Sequence, residues 1–208
     1  MNILVKFKNL LIESLKDNKK LIIGLYILFI IVFIASFILS GDKIWNLSNT
    51  TVSGSGLGMN VNDTIDLFIH NAGGGIVIYI SSIFFAIPAI VSLIYNGISF
   101  GAMGQLFNHI IPNGFLRYIV YLIPHGIFEI TATVIQSVAG VLLFLFIWRF
   151  IKTWRNSETH DVSDSFKKTK KDLIQSIVLM IFSIILLLIA APIEAYVSIP
   201  FSEFILGF

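Results

Sequence analysis

The sequence predicts an all-α, polytopic transmembrane helical bundle of about five spans, with the N-terminus inside and the C-terminus outside. Three observations predict it: an apolar composition, long runs without a charged residue, and basic residues gathered into two segments. Of 208 residues, 56% are hydrophobic and 12% charged, and the mean hydropathy is +0.90. A soluble domain spends roughly a quarter of its residues on Asp, Glu, Lys and Arg, so residues 1–208 read as one membrane domain of a multi-pass cell-membrane protein. A disordered chain is excluded. A net charge of only +2 excludes a nucleic-acid partner held by a basic face and leaves the lipid bilayer as the one partner composition names. The chain contains no cysteine, which removes disulfides, thiolate nucleophiles and Cys-bound zinc.

Leu21 to Ser40 is a run of 20 residues without a charge. As a helix it rises about 30 Å, the hydrocarbon thickness of a bilayer. Leu173 to Ile193 is a second such run. Twelve of the fourteen basic residues lie in 1–20 and 149–172, and Lys and Arg resist translocation. Both segments are therefore expected in the cytoplasm, and the polar stretch 41–72 outside. That stretch holds three glycosylation-type triplets, at Asn46, Asn49 and Asn62, a weak pattern in any Asn- and Ser-rich loop. At its end Ile65, Phe68 and Ile69 share a face, as a short interfacial helix would.

Between the outer loop and Arg149 the number of crossings must be odd. The 76 residues from Gly73 to Trp148 suit three helices of about 20 residues, read as 75–95, 98–121 and 126–148. The third span of the bundle is interrupted by Pro112, Asn113 and Gly114, and such a break survives in a membrane only where protein or water satisfies its polar groups. Pro88 should kink the second span.

Ionisable side chains inside a bilayer are costly and usually face the bundle interior. His125 and Glu129 stand four apart, and Thr133 and Gln136 continue their face at helical spacing. They form either an intramembrane polar site centred on Glu129, serving a proton or a substrate, or a pair bonded to a neighbouring helix near the interface. No metal or cofactor is expected: His70, His109 and His160 lie on separate segments, and His-x-x-x-Glu is not the zinc-helix pattern. There is no nucleophile elbow, phosphate loop or other catalytic motif, so no catalytic residue is assigned. Gly97, Gly101 and Gly104, with Asn96 before them, have the small-residue spacing that lets helix backbones approach, most simply within the molecule, with Asn96 able to bond across the contact.

Phe68-Ile-His-Asn71, Tyr95-Asn-Gly-Ile-Ser-Phe-Gly101, Pro124-His-Gly-Ile-Phe-Glu-Ile130 and Ala190-Ala-Pro-Ile-Glu-Ala195, taken in this order, resemble the stage II sporulation protein M family over nearly the whole chain. Pro-His-Gly-Ile-Phe-Glu is the most specific piece. The resemblance maps the family motif onto Asn96, Gly97, Gly101, Pro124, His125, Gly126, Glu129 and Glu194, and it implies a five-span membrane protein. In spore-formers such proteins act with a cell-wall hydrolase machinery as its membrane-embedded component, not as the hydrolase; many relatives occur where no spores form. Thr131 and Ala132 replace the family's Pro-Ala, so the kink implied there is in doubt. The expectation is a non-enzymatic scaffold or membrane-remodelling component that meets protein partners, or copies of itself, through its helices. The alternative is a small secondary transporter or channel using the Glu/His site.

Overall fold

The computed structural model describes residues 3–40, 61–156 and 161–207, and these are helical apart from short connections such as 82–86 and 111–113. In chain order they form α1 (Ile3–Asp17), α2 (Lys19–Leu39), α3 (Val61–Ser81), α4 (Ile87–Ile110), α5 (Gly114–Asn156), α6 (Val162–Tyr196) and α7 (Ser198–Leu206). Four of them, α2, α4, α5 and α6, are long and apolar enough to cross a membrane. The protein is a helical membrane bundle.

The five long helices alternate in direction. On α2 and α4, contacts ascend together: Gly97 faces Val32, Gly101 faces Phe33 and Ser36, and Gly104 faces Phe37. Along α3 and α5 they also ascend, from Asn71 beside Glu129 through Gly75 beside Gln136 to Ser82 beside Gly140. The order reverses between α5 and α6, where Ala139 meets Ser176 and His125 lies beyond Glu194, next to Ser198. So α3 runs through the bundle with α5, against α2, α4 and α6, although Asn62, Asp63, Asp66 and His70 make its first half less apolar. Leu93, Val134, Ile135, Val138 and Leu179, each no more than 2% exposed, form the core between α4, α5 and α6. Around α2 the outward side is a continuous surface of Ile23, Ile27, Ile30, Ile31, Ile34 and Ile38, which suits lipid contact.

The helix boundaries correct the sequence reading in three places. First, the expected second span, 75–95, is divided: α3 ends at Ser81 and α4 begins at Ile87. Ser82 closes α3, its amide and hydroxyl both donating to the Ile78 carbonyl. Pro88 does not kink a helix but sits in the first turn of α4, where its missing N–H has no partner to lose. Second, the interruption at 112–114 lies between spans and not within one. Ile111, preceding a proline, is extended (φ −126°, ψ 135°) and ends α4. Asn113 adopts φ 56°, a conformation Asn tolerates better than most, and a Cβ at Gly114 would strike the Phe107 carbonyl. Third, the short interfacial helix expected at 63–71 is the first half of α3. Asn46 and Asn49 lie outside the described residues, and Asn62 falls within α3.

The α5 helix has 43 residues and is about 64 Å long, roughly twice the hydrocarbon thickness. It continues through Pro124 and Thr131. Its final turns and the start of α6 form a projecting hairpin, packed through Phe146 edge-on to Phe166 and buried Ser165 and Thr169. The cap of α6 is Asp161, whose side chain accepts from the Ser163 amide at 2.8 Å. On that side Arg149 donates to both oxygens of Asp172 at 2.9 and 2.8 Å, and Lys171 reaches Glu13 and Asp17 of α1 at 3.0 and 2.8 Å. The two basic segments thus meet at one end of the bundle.

A candidate intramembrane carboxylate and histidine site

The site forms at the opposite end, where α3, α5, α6 and α7 converge. His125, 3% exposed, faces the start of α7, and its Nδ1 lies 2.8 Å from the hydroxyl of Ser198. The same hydroxyl lies 3.2 Å from the Ile193 carbonyl, so Ser198 ties the imidazole to the start of α7. The Tyr121 ring stands edge-on to the imidazole at 5.2 Å, fixing its plane.

One turn along α5, Glu129 accepts from the Asn71 amide of α3 at 3.4 Å. From α6, Glu194 completes the group: His125, Glu129 and Glu194 each offer one ligating atom, and all three atoms lie within 4.8 Å of one another. The three residues are drawn from two helices and held by two more. Neither carboxylate is in a salt bridge among the described residues.

Glu129 lines two cavities. One, of about 400 Å³, is bounded by Ser99, Phe100, Met103, Tyr118, Tyr121 and the three clustered residues, among others. The other, of about 180 Å³, lies beyond Glu129 and is walled by His70, Asn71, Ser92, Asn96, Thr133 and Gln136, among others. No lysine or arginine lines either cavity among the described residues.

The four residues expected on one face of α5 do share it, but with different roles. Thr133 spends its hydroxyl on the Glu129 backbone carbonyl at 3.0 Å. The Gln136 Nε2 is buried without a hydrogen-bond partner, in space opened by Gly75, where a Cβ would collide with it. Two expectations for the glycine seam separate. Gly97 and Gly101 do bring two backbones together, but those of α4 and α2 within one molecule: a Cβ at Gly101 would strike the Phe33 carbonyl and sit 2.8 Å from Ser36 Cβ. Asn96 does not bond across this contact; its amide donates back to the Ser92 carbonyl at 2.9 Å. The α2 partner is instead Ser36, donating to the Ile98 carbonyl at 2.8 Å. Pro124 and Gly126 flank His125, and Gly126 leaves room for Leu122, which a Cβ would meet at 2.7 Å.

Sequence reasoning set Glu194 apart, at the end of the last span, and dismissed metal ligation by counting histidines. The third group is a carboxylate brought 65 positions along the chain by antiparallel packing of α6 on α5. Asn71 was visible as part of a quoted motif. Ser198 carried no signal: its role exists only because α7 folds back on α5.

Residues 21–199 match the family of stage II sporulation protein M. The chain belongs to this family. The match takes in α2 to α6 and reaches just past Ser198, so the whole cluster lies within the family's extent. Among curated proteins, this stage II sporulation protein M relative is similar to an uncharacterised protein of Methanocaldococcus jannaschii, 31% identical over 126 residues, which are 60% of this chain and 65% of that protein. The match therefore spans just under two thirds of the archaeal protein's length. No solved structure matches.

Proposed function

We propose that the protein is a non-enzymatic, multi-pass component of the cell membrane, with its N-terminus inside and C-terminus outside, acting as a scaffold or remodelling subunit within a larger assembly. The observation that supports it is the way α1 is held. Lys171 bridges Glu13 and Asp17, Gln175 donates to Asp17 at 2.8 Å, and Asn18 donates to Gln175 at 3.0 Å. This ties α1 to α6 while Ile3, Leu4, Val5 and Ile12 stay exposed beside the lysines of 1–20. A helix with that combination suits the headgroup layer of a membrane, basic side toward anionic lipid and apolar side toward the acyl chains.

Two measurements test this. The chain lacks native cysteine, so Thr153→Cys and Ser53→Cys variants report topology directly: Thr153→Cys is expected to react only with a membrane-permeant thiol reagent and Ser53→Cys with an impermeant one, and the reverse pattern removes the orientation. Cross-linking in native membranes is expected to yield discrete species above the monomer mass. Monomer alone, across several lipid compositions, overturns the scaffold reading.

A second reading, a small transporter or channel, is favoured by one observation: Glu129 lines two cavities, as a group reached from two spaces would. Reconstituted vesicles carrying Glu129→Gln with solute and proton fluxes equal to wild type would discard it.

A further inference from the structure

We propose that His125, Glu129 and Glu194 form a binding site for one divalent first-row transition cation, of the zinc or manganese type, inside the helical bundle. The inference is independent of the scaffold reading.

Geometry comes first. Two ligands at roughly 2.0–2.2 Å from a shared ion stand at most about 4.4 Å apart. The three ligating atoms already lie within 4.8 Å of one another, close to that separation. Electrostatics points the same way. Two carboxylates in one low-dielectric pocket repel, and burying each costs several kcal/mol unless a counter-charge is present. Among the described residues no lysine or arginine lines either cavity, whereas a dication balances two carboxylates.

The surroundings fit as well. His125 is held through its Nδ1 contact with Ser198 at 2.8 Å, and a hydrogen-bond partner on a ligating histidine is the usual support of metal sites. Asn71 plays the corresponding part for Glu129 at 3.4 Å. One nitrogen and carboxylate oxygens favour zinc, manganese, iron or cobalt over magnesium or calcium, which take oxygen-only sets. Three protein ligands beside a cavity of about 400 Å³ leave coordination positions for water or a carboxylate- or phosphate-bearing ligand.

The test uses the full chain, purified in gentle detergent, stripped with a chelator and titrated with Co²⁺, then with Zn²⁺ in competition. One equivalent of Co²⁺ per chain is expected, with visible d–d absorption and no thiolate charge-transfer band, displaced by Zn²⁺. Glu194→Gln and Ser198→Ala are each expected to weaken binding at least tenfold, while His109→Asn, in the exposed pair with Gln105, leaves it unchanged. Absence of saturable Co²⁺ uptake by the wild-type chain, as for a carboxylate pair sharing a proton, overturns the proposal. So does unaltered affinity in folded Glu194→Gln. Should that variant fail to fold, the wild-type stoichiometry and Ser198→Ala decide the matter.

Discussion

The two ends of the bundle use the same kinds of charged residue to opposite effect. At the basic end, Lys171 with Glu13 and Asp17, and Arg149 with Asp172, pair opposite charges while remaining largely solvated, with side-chain exposures of 62% for Lys171 and 54% for Arg149. Such pairs orient segments and contribute little stability, because water and salt screen them. At the other end, Glu129 and Glu194 are placed together inside the bundle with His125, and among the described residues no lysine or arginine lines the cavity walls. That arrangement costs stability, and what it offers in return is a place for a proton or a cation. The difference marks one end as an anchor and the other as a site.

The strongest way to break this comparison is to disturb the wall behind the site. Gly101→Val places a branched side chain against the Phe33 carbonyl and Ser36, separating α4 from α2. We expect a loss of about 3 kcal/mol or more, read as failure to recover monodisperse protein or as a large fall in Tm. A smaller effect of opposite sign is expected from Glu129→Gln measured with chelator present. Removing one of two buried like charges should raise stability by about 2 kcal/mol, visible as an increased Tm. A decrease would mean that the charge is compensated after all.

Ser198→Ala leaves His125 Nδ1 without its hydroxyl partner and should lower stability by about 1 kcal/mol, a modest shift in Tm alongside its larger effect on Co²⁺ affinity. The smallest effect belongs to the anchor. The hydrogen bond from Lys171, followed by that from Gln175, holds the Asp17 carboxyl below the usual carboxylate range. Its contribution is therefore present above the unfolded value, about 3.9, and disappears as pH falls through the lower folded value. Asp17→Asn should be slightly less stable than wild type at neutral pH, the gap closing in acid and in high salt. A gap that persisted at low pH would assign the effect to packing and not to charge.

Much of the fold was legible because membrane insertion is written in local composition. Leu21 to Ser40 could be read as a span from hydropathy and length alone, and α2 occupies Lys19–Leu39. The co-location of 1–20 with 149–172 followed from counting basic residues. The boundaries around α3 and α4 were misplaced because apolar runs do not reveal where a helix turns when most turn residues are themselves apolar: in the connection 82–86 only Ser82 is polar, and Ile83, Phe84, Phe85 and Ala86 follow it. Pro88 was misassigned for the same reason, since a proline breaks a helix or begins one according to its surroundings.

The sequence by itself determined that this chain is a helical membrane protein, that its basic residues gather in 1–20 and 149–172, and that His125, Glu129, Thr133 and Gln136 recur at helical spacing. Each of these depends on composition or on periodicity within one segment. Only the tertiary structure decided that Glu194 joins His125 and Glu129, that Ser198 meets His125 Nδ1, and that Gly101 is spent on α2. Those facts depend on the direction and depth at which separate helices pack, set by contacts between residues tens of positions apart.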